Sequence, residues 1–276
     1  MVTPLAIHEP GRHVLLGETL QTQSVSGRLG ISTLSVTGFV VLWQLCVTLE
    51  LVDPLILPSP WMAIQSGIRR SEGGELLRHV IASVVRITEG FFLGSVMGVL
   101  LGLLMGQVRL IGEALEPIVD ILRQIPEVAW IPLAILMFQM GEGSKVFIIT
   151  YGALFPAIIC TFDGVKMTDT AIIRAARSLG ASRGQLFWRV TLPATLPHIM
   201  TGLWIGLGYA FRGLIAAELA GAQEGIGFMI MLAREDNLTA DAFMGMALIG
   251  VIGFCAIYGL GAVRNHVLRW HESTQE

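Results

Sequence analysis

Long apolar runs, broken at short intervals by polar clusters, set the pattern of this chain. Three of them, Leu29 to Leu49, Gly90 to Val108 and Ala242 to Val263, contain no Asp, Glu, Lys or Arg. Each offers about the 20 residues a helix needs to cross the hydrocarbon core of a bilayer. Two further runs are predicted to span: Val146 to Phe162, framed by Lys145 and Asp163, and Val190 to Phe211, which opens with Pro193 and Pro197. Val128 to Met140 is too short alone, so a sixth helix must reach back through Ile118 to Ile125 and carry Asp120, Arg123 and Glu127 near one end. Charge inside a membrane is costly, so that helix is not expected to face lipid all round. Pro126 and Pro132 each remove a backbone hydrogen bond and are expected to bend it. The pattern thus predicts an all-α, polytopic membrane protein, with six transmembrane helices in residues 29–263 between tails at 1–28 and 264–276.

Two connecting segments are patterned. From Pro54 to about Arg86 the chain runs Leu57-Pro58-Ser59-Pro60 and then places Trp61, Ile64, Ile68, Leu76, Leu77, Val80 and Ile81 at helical spacing. This predicts an amphipathic helix that either lies along the membrane surface or packs as a lid over the spans. In the loop at 164–196, Ala171, Ile172, Ala175, Ala176 and Leu179 follow helical spacing and Gly180 supplies a helix stop. Ser182 can cap a second short helix from Arg183 to about Thr191, before Pro193 turns the chain into the next span. A projecting helix of small residues suits a groove on a partner, and equally suits idle packing under the bundle.

Composition agrees with a lipid solvent: 276 residues, 53% hydrophobic and 14% charged, against roughly a quarter charged in soluble domains. Six spans leave no room for a soluble catalytic domain, so any energy source must lie in another subunit. Placing both termini in the cytoplasm puts ten basic residues inside (Arg12, Arg28, Arg109, Lys166, Arg174, Arg177, Arg183, Arg189, Arg264, Arg269) and six outside (Arg69, Arg70, Arg78, Arg86, Lys145, Arg234). That bias has the sign of the positive-inside rule. The first apolar run begins too far in and is too long for a cleaved signal core, so it is expected to be a permanent helix.

Catalytic motifs are absent. There is no His-Glu-x-x-His, no Gly-x-Ser-x-Gly and no dinucleotide glycine pattern, and Gly141-Glu142-Gly143-Ser144-Lys145 lacks the full phosphate-loop spacing and is expected to be a hairpin turn. Cys46, Cys160 and Cys255 lie inside predicted spans and His198 inside another, all expected to be packing residues. No catalytic residue, bound metal or nucleic-acid partner is expected. A stand-alone secondary transporter would show an internal repeat or paired broken helices, and an intramembrane enzyme would show convergent catalytic groups. Neither is evident.

The stretch Arg174-Ala175-Ala176-Arg177-Ser178-Leu179-Gly180, nine further residues, and Val190-Thr191-Leu192-Pro193 resembles the signature loop of binding-protein-dependent permeases: Glu-Ala-Ala, three residues, Gly, nine residues, Ile, any, Leu-Pro. Arg174 stands where that pattern has Glu and Val190 where it has Ile. Arg123-Gln124-Ile125-Pro126, Ala129-Trp130-Ile131-Pro132-Leu133, Ala216-Ala217-Glu218 and Gly225-Ile226-Gly227-Phe228-Met229 are similar to the nitrate, sulfonate and taurine branch, with taurine-type permeases nearest over Ile173 to Met229. The resemblance implies the type I fold of ATP-binding-cassette importers in a bacterial inner membrane. It also implies a second permease copy, two cytoplasmic ATPase subunits that hold ATP and Mg, and an extracytoplasmic binding protein. The coupling residues it implies are Arg174, Ala175, Ala176, Leu179, Gly180, Leu192 and Pro193.

Arg212, an intramembrane charge shortly before Glu218, is a functional suspect by default. Either it meets an anionic substrate, or it pairs internally with Glu218 or Asp120. Gly206, Gly208 and Gly213 around it allow close approach of a helix or ligand. Sulfonate and taurine permeases carry Trp and uncharged residues where this chain has Phe211-Arg212-Gly213. The candidate pathway or gate is Arg123, Pro126, Tyr209, Phe211, Arg212 and Glu218.

Overall fold

The computed structural model describes residues 25–53 and 55–268, with side chains from residue 34 onward. Arg12, Arg269 and most of the two expected tails lie outside the described residues. Every element among the described residues is helical. The chain divides into two units, residues 1–60 and 61–276. In the first, α1 (Val25–Thr48) starts four residues before the expected Leu29 and is long enough to span. Most of its described apolar side chains, Leu34, Phe39 and Leu42 among them, are exposed, as suits a helix in lipid, while Val47 is buried. Trp43 Nε1 donates to the Pro58 carbonyl at 3.1 Å, holding the following segment back against this helix.

The second unit is built on three long helices. α3 (Glu75–Gln107) packs along α6 (Glu142–Lys166), and α6 packs along α9 (Leu192–Gly221). Small residues decide how close they come. Gly90, Gly94, Gly98 and Gly102 recur every four residues on the face of α3 toward α6; a Cβ at Gly98 would stand 2.6 Å from the Ala157 Cβ and from the Leu154 carbonyl. α9 approaches from the other side through Gly202, Gly206 and Gly213, where a Cβ would lie 2.8, 3.1 and 3.1 Å from carbonyls of α6. With no hydrophobic drive between helices in lipid, such backbone-to-backbone contact is what holds a bundle together. Gly208 differs: nothing lies within 4 Å of its Cβ position, so it faces open space.

Several expected boundaries move. Leu76, Leu77, Val80, Ile81 and Arg86 belong to α3, not to a surface segment, because the polar residues His79, Ser83 and Arg86 find buried partners and let the span start early. Only α2 (Pro60–Glu72) is a separate outer helix. It packs inward with Ala63, Ser66 and Gly67, while Trp61, Ile64 and Ile68 remain exposed. Arg70 anchors it to Asp241 at 2.6 Å, and Ser66 hydrogen-bonds the same carboxylate. Thus one face acts as a lid and the other is free to meet lipid headgroups.

The third crossing is broken. α4 (Arg109–Leu122) meets the 3₁₀ turn Glu127–Trp130 and α5 (Ile131–Phe138) at 89°. The break falls at Arg123 to Pro126, as the proline argument anticipates, but Pro132 sits in the first turn of α5 and bends nothing. Tyr151 of α6 fixes the corner by donating to the Leu122 carbonyl at 2.6 Å. By length and hydropathy, α3, α6, the α9 rod and α11 (Thr239–Val267) are long and apolar enough to cross a membrane among the described residues, and the bent pair taken as one span adds a fifth. α11 runs past Val263 into the expected tail. Glu142 to Lys145 form the first turn of α6, so only Gln139 to Gly141 make the turn expected there. Cys46 and Cys160 are half-buried, whereas Cys255 is exposed and is not a packing residue within this chain. His198 packs its Cβ over Gly164.

Candidate functional site

The loop after α6 forms a compact double turn. In α7 (Thr170–Ser178), Asp169 caps the start by accepting from Ala171 N–H at 2.7 Å. Gly180, at φ 84°, ends it in the left-handed conformation: Gly180 N–H reaches the Arg177 carbonyl and Ala181 N–H the Ala176 carbonyl at 3.0 Å, the hydrogen bonding of a Schellman stop. Ser182 and Gln185 then cap α8 (Arg183–Leu186) reciprocally. No residue of α7 is buried, and Leu179 at the tip is 89% exposed. Both helix starts and the stop at Gly180 are capped, yet Leu179 at the apolar tip is left exposed, which makes this a projecting knob.

The second short helix does not end in a turn at Pro193. The π-helical turn Phe187–Thr191 carries α8 directly into α9, and Pro193 follows that turn inside a continuous 39-residue rod from Arg183 to Gly221. Arg174, Ala175, Ala176, Leu179 and Gly180 therefore sit on the knob, while Leu192 and Pro193 begin the rod behind it.

At the far end of that rod lies a buried ionic cluster. Glu218, fully buried, accepts from Arg86 Nη1 at 2.8 Å, Ser83 Oγ at 2.7 Å and Gly227 N–H at 2.8 Å. Arg86 also donates to both oxygens of Glu142, at 2.5 and 2.8 Å, and to the Glu224 carbonyl at 2.5 Å. Lys145 adds a 2.9 Å pair to Glu142. His79 Nδ1 and Ser83 Oγ accept from Gly225 and Ile226 N–H, so the start of α10 (Ile226–Glu235) is capped entirely by side chains of α3 and α9. A Cβ on Gly225 would collide with Glu218 and Arg86. The expected Arg212 partners are thereby corrected: Glu218 belongs to Arg86, and Asp120 pairs with Arg123 at 3.0 Å. Arg86, counted above as an outer-loop charge, is 5% exposed.

Beside the broken crossing is an open cavity of about 570 Å³, within the 300–1,000 Å³ usual for small-solute sites. Arg123, Pro126, Glu127, Tyr151, Tyr209 and Arg212 line it. Arg212 Cζ stands 4.8 Å over the Tyr209 ring, a cation–π contact. Four of the six expected pathway residues thus share one cavity. Phe211 and Glu218 do not: Phe211 packs on the core of Ile87, Ile149, Ala153, Ala210 and Leu214. Glu127 and Tyr151 line the cavity too, although the sequence gives Glu127 only a place in the polar helix and Tyr151 none.

The comparisons decide the family. Residues 94–271 match the family model of binding-protein-dependent transport system inner membrane components. The chain belongs to that family. Over 273 residues it is 36% identical to the taurine transport system permease protein of Escherichia coli, covering 95% of this chain and 99% of that one. It is 35% identical to the putative aliphatic sulfonates transport permease protein of Bacillus subtilis over 85% of each chain. The nitrate import permease protein of Synechocystis is 34% identical over 63% of each. A structure of inward facing conformations of the MetNI methionine ABC transporter matches with a TM-score of 0.61 at 21% identity, covering 70% of this chain and 95% of that one, so the fold is that of a type I importer permease. As an inner membrane component of the taurine, sulfonate and nitrate branch, the chain places the stretch that resembles the family's signature loop on the exposed knob, and its Ala-Ala-Glu and Gly-Ile-Gly stretches in the ionic cluster.

The cluster left a trace in the sequence. His79, Ser83, Arg86, Gly90 and Gly94 follow one another at intervals of three or four residues, a polar and small stripe on one face of a helix. A stripe of that kind continuing into an apolar run marks a helix that packs on protein before it leaves the membrane.

Proposed function

We propose that this chain is the membrane-spanning subunit of an ATP-driven importer for a small anion, taurine or another sulfonate, working by alternating access in a bacterial inner membrane. The observation that carries the reading is the capped, exposed knob of α7 and α8 joined without a break to α9. A groove on a cytoplasmic ATPase receives α7, and movement of the knob is passed along a rod that, at 1.5 Å per residue, extends about 40 Å from Leu192 to Glu218. Two such chains face each other across the pathway, each on its own ATPase subunit, which binds the ATP and Mg. An extracytoplasmic binding protein delivers the solute. Both termini are cytoplasmic in this arrangement; moving the buried, paired Arg86 out of the outer set widens the positive-inside bias that supports it.

Purification of the chain with its genetic neighbours co-expressed tests the reading. An ATPase carrying Walker motifs is expected to co-purify, and its hydrolysis to rise when binding protein and taurine or a sulfonate are added. Stimulation by nitrate, bicarbonate or an aromatic acid instead would keep the class and change the cargo. A stable chain that recruits no ATPase would overturn the proposal in favour of a stand-alone secondary transporter.

A further inference from the structure

Most intramembrane and interfacial charges of this chain are neutralised inside it: Arg86 with Glu218 and Glu142, Lys145 with Glu142, Arg70 with Asp241, Lys166 with Glu116, Arg123 with Asp120. Two charges lining the cavity are treated differently. Arg212 makes the ring contact with Tyr209 and no ion pair, and Glu127 makes neither an ion pair nor a side-chain hydrogen bond, among the described residues. They line the same volume and are not paired with each other, so their charged ends stand more than 4.0 Å apart.

A cation and a carboxylate that share a cavity and are too far apart to neutralise each other are complementary to a ligand carrying both charges on separate groups. We infer that the cavity reads a small zwitterion, Arg212 taking its anionic group and Glu127 its ammonium group. The Tyr209 ring holds the guanidinium from one side and leaves its N–H edge free for two parallel hydrogen bonds to a sulfonate or carboxylate. Glu127 opens the 3₁₀ turn directly after Pro126, at the 89° corner that Tyr151 ties to α6, so its carboxylate is carried on backbone with little freedom to reach across to Arg212. Arg123, already held by Asp120, is a weaker claimant for the anion. The inference rests on the small-anion importer reading and narrows it: an anion without an ammonium group leaves Glu127 unpaired, and this cavity disfavours it.

Equilibrium binding to the full-length chain in nanodiscs, with no binding protein present, reports the cavity's own selectivity. The probes are radiolabelled taurine and radiolabelled isethionate, which differ in an ammonium against a hydroxyl. Taurine is expected to bind at least about 10-fold more tightly, the worth of one charge-assisted contact. Glu127→Gln should bring the two within about 3-fold by weakening taurine alone, Glu127→Asp should keep the preference, and Arg212→Gln should weaken both about 10-fold or more. Equal binding by the unaltered chain, or a preference that survives Glu127→Gln, overturns the inference. So does absence of binding by a chain that still supports ATP-driven uptake with its ATPase and binding protein, an outcome that leaves the importer reading standing. Loss of ATP-driven uptake for every solute tried, with taurine still bound and selected, would instead remove the importer reading and keep the zwitterion site.

Discussion

Glu218 and Arg212 stand six residues apart on α9, and the molecule treats them in opposite ways. Glu218 is completely buried, and both its oxygens accept hydrogen bonds from Arg86, Ser83 and Gly227. Arg212 is exposed to a cavity, held by one aromatic face and left without a carboxylate. A charge whose hydrogen-bonding capacity is consumed by the protein has nothing left for a solute; its role is to fix α3, α6, α9 and the start of α10 at one end of the bundle. A charge left open can change partner during a transport cycle. Sequence alone presents the two as equivalent ionisable residues in one apolar helix, and only their surroundings separate scaffold from site.

The sharpest way to break this comparison is to remove one member of the cluster. Arg86→Ala should destabilise the full chain by about 3–5 kcal/mol, because Glu218 is left as an uncompensated buried charge, whereas Glu218→Ala should cost less, because Arg86 keeps its pair with Glu142. Unfolding in mixed micelles would measure it. Replacing Arg86 and Glu218 at once with Met and Leu should cost less than Arg86→Ala alone, since the double variant strands no buried charge. A cost below about 1 kcal/mol for Arg86→Ala would mean that the cluster is no more structural than the cavity.

Packing gives the next largest contrast. Gly98→Val should cost about 1–3 kcal/mol, because its Cβ meets the Leu154 carbonyl and the Ala157 Cβ with no flexible side chain to give way. Gly208→Val, where nothing lies within 4 Å, should change stability by less than about 0.5 kcal/mol. The same micelle titration compares the two, and similar costs would contradict the close approach of α3 and α6.

How much of this was readable beforehand follows from the range over which each feature is determined. The apolar runs and the double turn around Gly180 depend on neighbours within a few positions, and both are found close to where the residues place them. The start of α3 lies more than a dozen residues ahead of its uncharged apolar run, because Arg86 resembles a loop charge until Glu218, 132 positions away, is seen to pair with it. The same partnership removed Glu218 from the pathway residues. The break at Pro126 was legible from proline chemistry, but its 89° angle and the cavity beside it depend on Tyr151 reaching Leu122 from another helix. Sequence adjacency groups Phe211 with Arg212, yet adjacent residues on a helix point about 100° apart, and Phe211 turns to the core.

The coupling knob should separate function from stability. Ala175→Trp adds bulk to a helix with no buried residue, so the chain should insert and unfold as before, within about 0.5 kcal/mol, while uptake in proteoliposomes falls to background and ATP hydrolysis no longer responds to solute. Normal uptake with Trp at this position would show that α7 is not seated against a partner.

The smallest structural effect, and the most informative, is expected at Arg212. Arg212 makes no ion pair among the described residues and has only the ring contact with Tyr209, so Arg212→Ala and Arg212→Lys should both leave stability within about 0.5 kcal/mol of the unaltered protein. Transport should divide them. Lysine keeps a positive charge but loses the planar fork and most of the stacking on Tyr209, so uptake is expected to be reduced, whereas alanine removes the anion's counter-charge and should reduce it at least about 10-fold further. If instead the two variants transport alike and Arg212→Ala lowers stability by as much as Arg86→Ala, then Arg212 is paired in the assembled transporter, and its contrast with Glu218 belongs to the isolated chain only.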